Sequence, residues 1–158
     1  MTDVDDLRAG LDAARGELLA ALEGVTQEQL VRRPPGEVTV DEQRWPIRDV
    51  LWHAGAVEDW IGRMASQALG GGPVDGYAAP RRPAITNTLK LLLDWLEQRR
   101  DATLALIRAL EDRDLAIEFT TPGDEHRTIG RVLAHLVVHD RQHRDQVLAL
   151  RELPEVER

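Results

Sequence analysis

Cysteine is absent from the 158 residues, which excludes disulfides, thiolate metal sites and a cysteine nucleophile. Aromatic residues are few: four Trp, one Tyr and one Phe. Runs of β-branched or aromatic residues that would mark strands are equally scarce, while Leu, Ala, Glu and Arg are abundant, so helix is the expected element. No apolar run is longer than a few residues, Leu91-Leu92-Leu93 being typical, and nothing is expected to span a membrane. Basic runs are missing too. Lys plus Arg is 20 against 28 for Asp plus Glu, a formal charge of −8 that repels phosphate backbones, so no nucleic acid partner is expected. The segment Met1 to Asp6 carries three acidic residues and no apolar stretch, unlike a secretory signal, and the expectation is a soluble cytoplasmic protein. Neither a nucleophile elbow nor a Ser/His/Asp order is visible. Gly70-Gly71-Gly72 follows a helix rather than a strand, which makes it a poor phosphate cradle.

What is present is helical periodicity. With 42% apolar and 30% charged residues the chain has enough apolar surface for one core, and residues 1–158 read as a single domain. Leu7, Leu11, Ala14, Leu18 and Leu22 predict a first helix over about 4–22, ended by Gly24. Thr26 and Gln29 have capping-box spacing for a short extra turn, and Arg32 to Arg44, with Pro34-Pro35-Gly36, reads as a loop. A second helix over about 46–69 starts with Pro46 at its first position and carries Val50, Ala54, Val57, Ile61 and Met64 on one face. A flexible crossing follows from Val74 to about Pro83. The third helix covers about 86–110, with Leu89, Leu92, Leu93, Leu96, Leu104 and Ile107 inward. The fourth covers about 128–151, with Ile129, Val132, Leu133, Leu136, Val147 and Leu150. Four helices apolar on one side pack most economically as an all-α four-helix bundle, and the long connections predict at least one crossover.

The five histidines are unevenly placed. His53 lies on the second helix and His126 in the loop before the fourth, where it reads as a surface residue. His135, His139 and His143 climb one side of the fourth helix at i, i+4, i+8, with about 40° between neighbours. Measured from the inward direction of Ile129 and Val147, His143 lies roughly 30° away, His139 about 80° and His135 roughly 120°. Two histidines one turn apart can share a metal ion, and imidazole suits Zn²⁺, Ni²⁺, Fe²⁺ and Cu²⁺. His53, on another helix, is the best third ligand, and three nitrogens would leave one position open for water or substrate. Asp140 points close to the core and needs a partner there: a ligand's second ring nitrogen or a buried Trp N–H. Asp49, one turn before His53, is placed either to orient that ring or simply to favour the helix start. Trp52 and Trp60 read as core and rim packing rather than as a ligand cage.

Two stretches carry a resemblance. Trp45-Pro46-Ile47-Arg48-Asp49-Val50-Leu51-Trp52-His53 resembles the opening of the second helix in the DinB/YfiT family. His135-Leu136-Val137-Val138-His139-Asp140-Arg141-Gln142-His143-Arg144-Asp145-Gln146 is similar to the histidine signature on that family's last helix. Pro46 stands where the family has serine, and Asp145 where it has glycine. The resemblance covers nearly the whole chain and implies an unusual four-helix bundle, commonly a homodimer. It also implies a divalent ion on His53, His139 and His143. Imidazole donors make zinc or nickel the first expectation and iron the third, and the spacing leaves Asp49, His135 and Asp140 as candidates around the ligands. Known relatives include transferases that use the low-molecular-weight thiols bacillithiol or mycothiol. The expected function is therefore a metal-dependent enzyme that activates such a thiol against a small-molecule electrophile. A hydrolase using water at the same ion is the alternative, and a non-catalytic metal-binding stress protein, its site closed by His135 or Asp140, is the rival of another class.

Overall fold

The computed structural model describes residues 3–35 and 44–154. Its helices are α1 (Val4–Ala21), α2 (Gln27–Val31), α3 (Ile47–Leu69), α4 (Leu89–Ala109) and α5 (Ile129–Arg151). A 3-10 turn at Asp112–Ala116 and two short antiparallel strands, β1 (Glu118–Thr120) and β2 (His126–Thr128), connect α4 to α5. Periodicity anticipated neither this turn nor the hairpin. At three residues per strand, each is too short to show alternation.

Helix ends are set by local chemistry. Asp3, Thr88 and Thr128 each accept a backbone N–H from the first turn that follows, and Thr26 with Gln29 closes the expected capping box over α2. Thr88 therefore starts α4 three residues later than its periodicity suggested. Pro46 sits at the N-cap rather than the first helical position, with no side-chain cap bond. Gly24 and Gly71, at φ +73° and +75°, turn the chain after α1 and α3 through a conformation that other L-residues avoid. The predicted loop from Arg32 to Arg44 lies in part, at residues 36–43, outside the described residues.

The main packing partners are α1 with α5, α5 with α3, and α3 with α4, and α4 also touches α1. The consecutive long helices α1 and α3 therefore sit diagonally, as a crossover requires. This is the expected crossover. The apolar stripes of α1, α3 and α5 are buried as their spacing predicts. On α4 the inward face is Leu92, Leu96, Arg100, Thr103 and Ile107, while Leu89, Leu93 and Leu104 are only half-buried.

Buried side chains form two apolar clusters. One contains Leu11, Ile61, Ile107, Leu133 and Leu136, the other Leu18, Leu51, Leu96 and Val147. Between them each long helix contributes one buried charge: Arg15, Glu58, Arg100 and Asp140. Arg15 binds Glu58 at 2.5 Å and Asp140 at 3.0 Å, and Arg100 binds the same two at 2.7 and 2.9 Å. Spare guanidinium donors reach the carbonyls of Leu96 (3.2 Å) and Leu11 (2.8 Å). The quartet is neutral in sum and tied to all four helices.

Candidate metal centre

His139 and His143 lie one turn apart on α5, just beyond the charged quartet, and both are buried, at 8% exposure. His53 faces them from α3, half-buried, its ring centre 5.3 Å from each of theirs. One ring nitrogen from each of the three lies within 4.8 Å of the others, and the Nε2 atoms of His139 and His143 are 3.0 Å apart. Two nitrogens bound to one ion at about 2.1 Å in tetrahedral geometry stand roughly 3.4 Å apart, so the pair on α5 already has the spacing of shared ligands.

The electrostatics favour a neutral imidazole at His139. Burial, then the neighbouring His143, His53 and His135 rings and the Arg15 charge, push His139 down to about 2. A neutral ring with a lone pair is the form a metal requires. The amide oxygen of Gln146 lies 2.9 Å from Nδ1 of His143. An N–H donated there leaves Nε2 as the nitrogen that faces His139. Gln146 stood in the quoted motif, but sequence spacing alone did not assign it this role. Trp45 covers the outer side of His53, with 4.8 Å between ring centres.

The other expected residues fall elsewhere. His135 is exposed, its ring 5.7 Å from that of His139, and it is not among the converging donors. Asp140 does have partners, but they are Arg15 and Arg100 rather than a histidine or indole N–H, because two guanidinium groups reach its oxygens first. Asp49 accepts from Nε of Arg82 at 2.9 Å, which ties its carboxylate to the segment after α3. His126 is exposed on β2, beside Thr120. Asp145 points to solvent beside Arg144 and takes no room from the site. Among the described residues, no other His, Cys, Asp or Glu joins the three histidines.

The segment from Val74 to Pro83 has no regular structure, yet it is strapped along α3. Trp60 Nε1 donates to the Asp75 carbonyl and Trp52 Nε1 to that of Pro80, each at 3.0 Å, and Arg82 holds Asp49. Between this strap and α3 lies a cleft of about 330 Å³ with His53 in its wall.

Comparison with solved structures finds the same fold at low identity. TT2238, a four-helix bundle protein, is 20% identical with a TM-score of 0.68, over 92% of this chain and 98% of that one. YfiT from Bacillus subtilis, described as a probable metal-dependent hydrolase with an unusual four-helix bundle topology, is 21% identical with a TM-score of 0.72, over 93% and 85%. The colibactin self-resistance protein ClbS, solved in complex with a dsDNA, is 12% identical with a TM-score of 0.76, over 98% and 99%. No functionally curated protein matches the chain. The family profile of the DinB superfamily matches residues 10–147. That match spans most of the chain, and the chain belongs to the DinB superfamily.

Proposed function

We propose that this protein is a divalent-metal-dependent enzyme whose ligands are His53, His139 and His143, and whose nucleophile is a low-molecular-weight thiol of the bacillithiol or mycothiol type. The observation that supports it is the donor set: three converging imidazole nitrogens, and no fourth donor among the described residues. Four protein ligands make a closed structural site, whereas three leave a position for chemistry. Imidazole donors suit zinc or nickel best, with iron third. When bound, such an ion supplies acidity to a thiol or a water molecule in the remaining position, so that a nucleophile exists at neutral pH.

The chain's own residues do the rest. His139 stays neutral without needing a base. Gln146 fixes the ring of His143, and Trp45 shields that of His53. Glu58 and Asp140, bridged by both arginines, hold α3 and α5 at a set spacing close to His53 and His139. With no cysteine in the chain, a reacting thiol must come from outside.

A second reading, a hydrolase using water, is favoured by the likeness to YfiT. The likeness to ClbS is one of fold, and the net charge of −8 argues against binding a polyanion such as DNA. The test is elemental analysis of untagged protein purified without chelators, beside His53→Ala and His139→Ala. About one transition metal per chain in the parent, lost in both variants, is the expected result. Thiol-dependent consumption of 1-chloro-2,4-dinitrobenzene against hydrolysis of p-nitrophenyl acetate then separates the two readings. No metal in any sample, with reconstitution by Zn²⁺ and Ni²⁺ also failing, contradicts both.

A further inference from the structure

Five of the chain's six aromatic side chains gather on one side of His53. Trp45 lies 4.8 Å from its ring and Tyr77 6.3 Å, edge on. Trp52 forms the neighbouring wall of the cleft and is backed by Trp95, the two rings stacked at 4.3 Å. Trp60 backs Tyr77 at 5.2 Å. Only Phe119 lies elsewhere, against the apolar cluster beside the hairpin.

The arrangement is built rather than incidental. A Cβ on Gly55 would come within 2.0 Å of Nε1 of Trp95, so a glycine is what lets the N–H edge of this indole approach α3. Trp95 Nε1 then donates to the Trp52 carbonyl at 3.2 Å, and Trp52 Nε1 holds the strap at Pro80. With its N–H so engaged, Trp52 offers the cleft only carbon. The one carboxylate in the wall, Asp49, is neutralised by Arg82, which is itself held by the Thr86 carbonyl at 2.8 Å.

We propose that this cleft is the substrate pocket and that it takes a small molecule with a flat aromatic body, seated among Trp45, Trp52 and Tyr77 with its reacting end toward the three histidines. This rests on the metal-site reading above. A volume of about 330 Å³ suits one or two rings and not a macromolecule. Aromatic walls favour a planar guest by offset and edge-to-face contacts that a puckered ring cannot make. The Asp49–Arg82 pair spares the guest any need for a compensating charge.

The test uses zinc-loaded full-length protein and three hydroxamates with the same metal-binding head: benzohydroxamate, cyclohexanecarbohydroxamate and acetohydroxamate. Zinc stoichiometry is measured separately by equilibrium dialysis. The expected result is that the benzo compound binds at least about tenfold more tightly than the acetyl compound and several-fold more tightly than the cyclohexyl one. In Tyr77→Leu, and independently in Trp45→Leu, the preference for the flat ring over the puckered one falls toward unity. Phe119→Leu retains it. If zinc binds but the three probes bind alike, or the preference survives both wall substitutions, the pocket is overturned and the metal site stands. If zinc does not bind at all, the metal site fails and the pocket fails with it.

Discussion

The bundle buries two polar groups side by side, and they are finished to different degrees. Arg15, Glu58, Arg100 and Asp140 bring two positive and two negative charges, bind one another, and place spare donors on carbonyls of α1 and α4. His53, His139 and His143 bring three basic rings together, and no carboxylate joins them among the described residues. The first group is complete as it stands and ties helices. In the second, burial and the neighbouring rings hold His139 neutral, and no carboxylate among the described residues balances a charge there. A buried polar cluster that answers its own charges needs no ligand, whereas three converging ring nitrogens could hold one.

That contrast can be broken from either side. The largest effect is expected from Glu58→Ala, which leaves two buried guanidinium groups facing one carboxylate. It should cost about 3–5 kcal/mol, seen as a fall of roughly 10 °C or more in melting temperature. A loss below about 1 kcal/mol would mean that water serves these charges.

The two groups also answer pH in different windows. In chelator-treated protein, His139 has a folded pKa near 2 against about 6.5 when unfolded, so its contribution is fully present above 6.5 and is lost progressively below that. Urea titrations should show stability falling by up to about 1.4 kcal/mol per pH unit from about 6.5 downward, and His139→Asn should flatten that slope. For Glu58, burial raises the carboxyl, but the charges of Arg15 and Arg100 outweigh it and hold it below the usual range. Its stabilisation is present above its unfolded pKa of about 4.3 and is lost only as pH falls through the lower folded value. A single loss confined to below pH 4 would remove the distinction.

Smaller changes sharpen the picture. Gln146→Leu should weaken zinc binding about 10–100-fold in competition titrations, without removing a ligand, because the His143 ring is no longer held. Gly55→Ala should cost about 1–2 kcal/mol, overpacking against Trp95 outweighing the better helix propensity, with a change in Trp fluorescence as the Trp52–Trp95 stack shifts. Glu17→Gln, which removes an exposed partner of Arg141 and Arg144, should leave melting temperature and metal content unchanged.

The split among the histidines was legible because helical angle alone puts His143 and His139 nearer the core than His135, and the structure buries those two alike and leaves His135 exposed. Asp140 was legible as a buried acid in need of a partner, but its partners were not. Arg15, Glu58 and Arg100 each sit one turn from a buried aliphatic residue, at Leu11, Ala54 and Leu96, yet a charged residue in an apolar stripe reads as a gap. Four such gaps at one level of four helices were the available signal, and it appears only when the helices are aligned against one another. The strap was illegible for another reason. Its Pro- and Gly-containing sequence has no period, and what fixes it are indole N–H groups on α3 bonding to its carbonyls.

The most direct test of the contrast is X-ray absorption at the zinc edge on zinc-loaded protein, with and without added thiol. The account predicts three imidazole nitrogens at about 2.0–2.1 Å and one further light ligand, replaced by sulfur at about 2.3 Å when thiol is present. Four protein ligands with no change on adding thiol, or zinc bound away from histidine, would contradict it.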